Sequence, residues 1–167
     1  MLALAMLLGP LALGAPAPDA SAAGPTRCPA TGFVVVVETG AHRLWTCEDG
    51  RATGEYAVAL GSGGVGKTRQ GDAKVPLGEY ALGAPRGSSQ FHKFIPVGYP
   101  TAPQRRRGYT GSAVGVHGPA RGWEKMPAAL NTSTDWTLGC IAVGSDEEIR
   151  RLAAWVDGRG VKRILIR

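Results

Sequence analysis

A thiol and an imidazole are the side chains in this sequence best suited to do chemistry together. Cys140 stands in "DWTLGCIAV", residues 135–143, directly after Gly139, which has no side chain to block approach. His117 stands in "GVHG", residues 115–118, where a strand end followed by Gly118 lets a ring project into a cleft. A cysteine thiol has a pKa of about 8.5 when free and becomes a nucleophile when an imidazole or converging amides ease its deprotonation. Residue type and spacing leave two readings open: a Cys–His pair for acyl transfer, or a buried core cysteine with a structural histidine. On the first reading, the amides of Gly139 and Cys140 are the oxyanion donors.

A second motif points elsewhere. "GSGGVGKT", residues 61–68, has the Gly-x-x-x-x-Gly-Lys-Thr pattern of a phosphate loop. Such a loop works when a helix begins at the Lys-Thr pair and aims its N-terminus at the phosphates. Here Thr68 leads into "RQGDAKVPLGEY", where Gly71 and Pro76 interrupt any helix. The stretch reads as a glycine-rich turn crossing a sheet edge, and no nucleotide is expected. No cofactor or metal is called for either, because His42, His92 and His117 are scattered without ligand spacing.

These residues need elements to position them. "FVVVVETGAHRLWTCEDGR" reads as a hairpin, with a β-branched strand over 33–39, a turn at Gly40-Ala41 and a second strand over 42–48 with Leu44 and Thr46 on one face. Further strands are expected at "EYAVALG", "GEYALGA", "AVGVHG" and "VKRILIR". Gly and Pro are dense between them, so no helix is expected before about residue 123. Ser145-Asp146-Glu147-Glu148 is a capping box, and Ile149, Leu152, Ala153 and Val156 follow as an apolar stripe closed by Gly158 or Gly160. A second, short helix is expected near Lys125–Leu130. The class is mostly β with one or two short helices.

The 167 residues suit one domain. Residues 1–22 read as a signal peptide: Met1–Leu13 is apolar, the following stretch is small and Pro-rich, and Ala20-Ser21-Ala22 fits a cleavage site. Residues 23–32 then form a mature N-terminal segment and 33–167 the domain itself. The expected location is exported, in the periplasm or cell envelope, with no transmembrane span after signal removal. The net charge of +6 suits an anionic envelope polymer, and Arg105-Arg106-Arg107 reads as a solvated loop rather than a nucleic-acid site. Of the three cysteines, Cys28 and Cys47 flank the first hairpin and are the candidate disulfide, which leaves Cys140 as a free thiol.

From residue 33 to 167 the chain resembles the L,D-transpeptidase catalytic domain (YkuD-like) family. His117-Gly118 and Thr137-Leu138-Gly139-Cys140-Ile141 match its His-Gly and Ser/Thr-x-Gly-Cys signature, and "VGKTRQGDAKVPLGEY" resembles its Gly-Asp-x-x-Thr-Pro-x-Gly-x-Tyr/Phe segment, with Val75 in place of Thr. The resemblance implies a β-sandwich or open barrel acting on the peptide stems of peptidoglycan. Cys140 would be the nucleophile, His117 the general base and acid, Gly118 the carbonyl orienting His117, and Gly139 an oxyanion amide. Trp136, Thr137, Leu138 and Tyr109 would bind substrate. Where many members carry Arg or Asn for a substrate carboxylate, this chain has Ala142, so that anchor is open. A peptidoglycan L,D-transpeptidase working through a thioester is the leading expectation. A thiol carboxypeptidase or endopeptidase on the same fold, and a non-catalytic wall-binding module, are the alternatives.

Overall fold

A computed structural model describes residues 28–167; the signal-peptide expectation for 1–22 and the first half of the 23–32 segment lie outside the described residues. Nine strands form one curled sheet: β1 (Phe33–Glu38), β2 (Arg43–Glu48), β3 (Arg51–Ala59), β4 (Gly78–Ala81), β5 (Arg86–Ser88), β6 (His92–Pro96), β7 (Gly115–His117), β8 (Ile141–Val143) and β9 (Arg163–Ile166). Their spatial order is β4-β9-β1-β2-β3-β8-β7-β6-β5. The mostly β expectation therefore stands.

The β-branched run Val34–Val37 makes β1, and a 3-10 turn over Thr39–Ala41 returns the chain into β2, with Phe33 opposite Glu48 and Glu38 opposite Arg43. β3 is the long strand that joins the two halves: its first part pairs with β2, while Val58 and Ala59 pair with Val143 and Ala142 of β8. β9 runs parallel to β1 and antiparallel to β4. Beyond β4, Leu82 bridges Val97, so the sheet curls back toward the segment after β6.

Apolar alternation is only half the story in β2. Leu44 joins the main core, whereas Trp45 and Cys47 pack with Val34 and Val36 in a second cluster on the other face. Cys28 covers that face and is disulfide-bonded to Cys47. Burial of both faces explains why four consecutive residues, Leu44–Cys47, are inaccessible where a half-buried strand would alternate.

Among the described residues three α-helices lie outside the sheet: α1 (Ala102–Arg106), α2 (Ala128–Asn131) and α3 (Asp146–Gly158). In α3, Ser145 caps Glu148 N, and Ile149, Leu152, Ala153 and Val156 are the buried residues. The helix runs through Gly158, and Gly160 follows in the left-handed region at φ 60°. The Glu148 carboxylate accepts from Gly144 N. α1 corrects the expectation of no helix before residue 123. Thr101 and Gln104 form a reciprocal capping box, and Pro103 is tolerated in the first turn, where its missing N–H costs nothing. Arg105 and Arg106 thus sit on a helix rather than in a loop. No helix among the described residues is long and apolar enough to cross a membrane.

Candidate active site

β7 and β8 are parallel neighbours, with Val116 beside Ile141 and His117 beside Ala142. Side chains alternate along a strand, and paired residues share a face. Ala142 and Cys140 are two apart, so Cys140, Ala142 and His117 project to one side of the sheet. Cys140 and His117 accordingly line the same cavity, of about 620 Å³.

The imidazole is held on every side. Its Nδ1 lies 2.6 Å from the carbonyl oxygen of Gly118, which can only accept, so Nδ1 carries the proton and Nε2 is left with a lone pair. Phe91 stacks on the ring with centroids 3.9 Å apart, and the Trp136 edge meets it at 5.7 Å. Gly118 has to be glycine here, because a Cβ would stand 2.9 Å from both Ile149 of α3 and the Phe91 carbonyl. Burial pushes the His117 pKa down to about 4, against a smaller upward pull from the Gly118 carbonyl, so the ring is neutral at physiological pH. Asp135 is engaged elsewhere: it lies 3.1 Å from His42 Nε2 and accepts from Leu60 N at 2.7 Å.

Cys140 is a free cysteine whose Sγ lies 3.5 Å from the carbonyl of Ala113. Burial raises its pKa above the ordinary thiol value, while the Gly115 amide and the Lys67 ammonium pull it down. The cavity therefore holds a protonated thiol and a neutral imidazole.

The elbow that presents the sulfur is tightly specified. Gly139 has φ 115°, and a Cβ there would sit 2.6 Å from the Lys74 carbonyl. Thr137 Oγ1 accepts from Gly139 N at 3.2 Å and donates to the Cys140 carbonyl at 2.7 Å. The Gly139 amide is thus engaged by Thr137, and the Cys140 amide has no part in that bond. Thr137 is buried, so it braces the elbow, whereas Leu138 is 85% exposed on the cavity rim. Trp136 lines the cavity and donates Nε1–H to the Asn131 carbonyl. Tyr109 is not among the residues lining the cavity; it packs against the main core beneath Arg107.

The phosphate-loop look-alike contributes to this site in another way. No helix follows Thr68. The amides of Gly66 and Lys67 are both turned onto the Val75 carbonyl, and that of Gly63 onto Ala73. Gly61 bridges Thr137 beside the elbow. Lys67 is buried and lines the cavity, its ammonium donating to Asp72 at 2.6 Å and to the Arg69 carbonyl at 3.0 Å. Burial disfavours the Asp72 charge, but Lys67 and the amides of Arg69, Thr68 and Lys74 outweigh it and hold the carboxyl well below the usual range. Lys67, Phe91 and Asp72 were the site residues that spacing did not pick out. The Lys-Thr motif drew attention to Lys67, as part of the phosphate-loop pattern.

Comparison with known proteins agrees with the architecture. The YkuD family, described as the L,D-transpeptidase catalytic domain, matches residues 32–165. YafK of Escherichia coli K12, provisionally named an L,D-transpeptidase, is 39% identical over 66 residues, covering 38% of this chain and 27% of YafK. The helical cell shape determining protein Pgp2 from Campylobacter jejuni has the same fold at a TM-score of 0.62 and 22% identity, covering 81% of this chain and 46% of Pgp2. Bd1075 from Bdellovibrio bacteriovorus gives 0.58 and 24%, covering 82% and 48%. The chain thus spans under half the length of these relatives. The family match over nearly all of the described residues makes this chain a member of the YkuD family of L,D-transpeptidase catalytic domains.

Proposed function

We propose that the domain, residues 33–167, is an exported cysteine acyltransferase of peptidoglycan stem peptides. The observation that carries this reading is the common face: Cys140 and His117 line one cavity, with the basic Nε2 of His117 left free by the bond at Nδ1.

In acylation, Cys140 Sγ attacks the carbonyl carbon of the third, diaminoacyl residue while its proton passes to His117 Nε2. The negative oxygen of the tetrahedral intermediate takes the Cys140 amide as donor. The carbon–nitrogen bond then breaks, His117 returns the proton to the leaving amine, and D-alanine departs from a thioester. An amine from another stem attacks the thioester, His117 again taking the proton, and the thiol is regenerated. Water in place of the amine gives hydrolysis with the same proton bookkeeping. The Gly118 carbonyl keeps the ring oriented through both halves, and Trp136 and Leu138 offer apolar contact at the cavity rim.

The test is incubation of the purified domain with disaccharide-tetrapeptide muropeptides, with and without an added amine acceptor, followed by mass analysis. Expected products are stems that have lost the terminal D-alanine and, with acceptor, cross-linked or exchanged stems; the ratio separates transfer from hydrolysis. A carbapenem should label Cys140 covalently. Cys140→Ala should lose at least about a thousandfold in rate, as removal of a covalent nucleophile does. Full activity in that variant ends this reading.

A further inference from the structure

Two cavities meet at Cys140. Besides the one that holds His117, a smaller cavity of about 330 Å³ shares Phe91, Ala113 and Cys140 with it and extends under the β5–β6 connection, where Arg86, Ser88 and Gln90 line it. The sheet register explains why a cation faces this space. Arg86 pairs with Phe94, Phe94 with His117, and His117 with Ala142. Paired residues share a face, so these four side chains form one row across β5, β6, β7 and β8. At β8 the row ends in a methyl group; at β5 it ends in a guanidinium.

The cations of the two cavities differ in state. Lys67 in the larger one is neutralised by Asp72. Arg86 makes no ion pair among the described residues, and its guanidinium lies 5.0 Å over the Phe94 ring, which orients the planar fork. Ser88, on the same face as Arg86, accepts at Oγ from the amides of Gln90 and Phe91, each at 3.2 Å, so its own hydroxyl proton is left to donate. A guanidinium and a hydroxyl donor beside the sulfur are the donor set for a carboxylate.

We propose that the smaller cavity is a carboxylate subsite anchored by Arg86, and that it holds the residue that leaves when Cys140 is acylated. This rests on the acyl-transfer reading above. A scissile bond at the sulfur divides the substrate: the bulky acyl stem takes the larger cavity, and the single leaving residue takes the smaller. Its free carboxylate is two bonds past the scissile nitrogen, so it stays within one residue's span of Cys140. The anchor left open at Ala142 is thereby supplied from the far end of the same row.

Two thiol reagents of nearly equal size test the subsite without any turnover. Iodoacetate carries a carboxylate and iodoacetamide does not. Arg86→Gln should lower the iodoacetate rate at Cys140, relative to iodoacetamide, by about tenfold, the size of one charge-assisted contact at a partly exposed site. Arg86→Lys should fall between. The iodoacetamide rate reports that the variant is folded. In a second arm, stem tetrapeptides ending in a carboxylate or an amide are compared: the wild-type preference for the acid should collapse in Arg86→Gln, through KM. An unchanged reagent ratio, or an acid preference that survives the substitution, overturns the subsite. If the reagent ratio responds while no stem peptide is turned over, the subsite stands and the acyl-transfer reading falls.

Discussion

His117 is held neutral by desolvation. Its ring sits between Phe91 and Trp136, and burial moves its pKa from 6.5 to about 4. The unfolded chain takes up a proton near pH 6.5, the folded chain only near 4, so the neutral ring contributes stability that is complete above pH 6.5 and lost as pH falls toward 4. The full amount is roughly 3 kcal/mol. Urea unfolding at pH 7 and pH 4.5 should show the wild type losing about 2 kcal/mol more than His117→Gln over that interval. A parallel loss in the two proteins would show that the ring is not held neutral by the fold. Cys140 and His117 were legible in the sequence by residue type and by their glycine neighbours. Phe91, Lys67 and Arg86 were not, because what matters about them is cross-strand register and the curl of a loop, which no short spacing encodes.

At the scale of elements, the glycine before Cys140 matters more than the helix behind it. The elbow at Gly139 lies in a region of φ that favours glycine and against the Lys74 carbonyl, so Gly139→Ala should cost at least about 2 kcal/mol and slow alkylation of Cys140. Gly158, in the last turn of α3 with open space around it, is the contrast: Gly158→Ala should stabilise by about 0.5 kcal/mol without touching the alkylation rate. Thermal melts and alkylation kinetics on the two variants check both. The first hairpin and α3 were readable because each carries a long pattern, a β-branched run in one case and a cap followed by four stripe positions in the other. β8 is only Ile141–Val143 and β5 only Arg86–Ser88, too short for any alternation to register. α1 was hidden by Pro103, which reads as a breaker until its place in the first turn is known.

For the whole molecule, the Cys28–Cys47 bridge fastens the segment before β1 onto the outer face of the sheet, in an apolar cluster separate from the main core. It closes a loop of sequence separation 19, so the double substitution Cys28→Ser, Cys47→Ser should cost about 3 kcal/mol. Denaturant midpoints measure that loss, and the Cys140 alkylation rate should not follow it. The placement of β9 has a different consequence. Residues 163–166 are wedged between β1 and β4, and Val35 finds Ile164 across almost the entire described chain. The opening meander can zip as it emerges, but β4 must idle until β9 arrives, so that flank of the sheet closes only once residues 163–166 have been made.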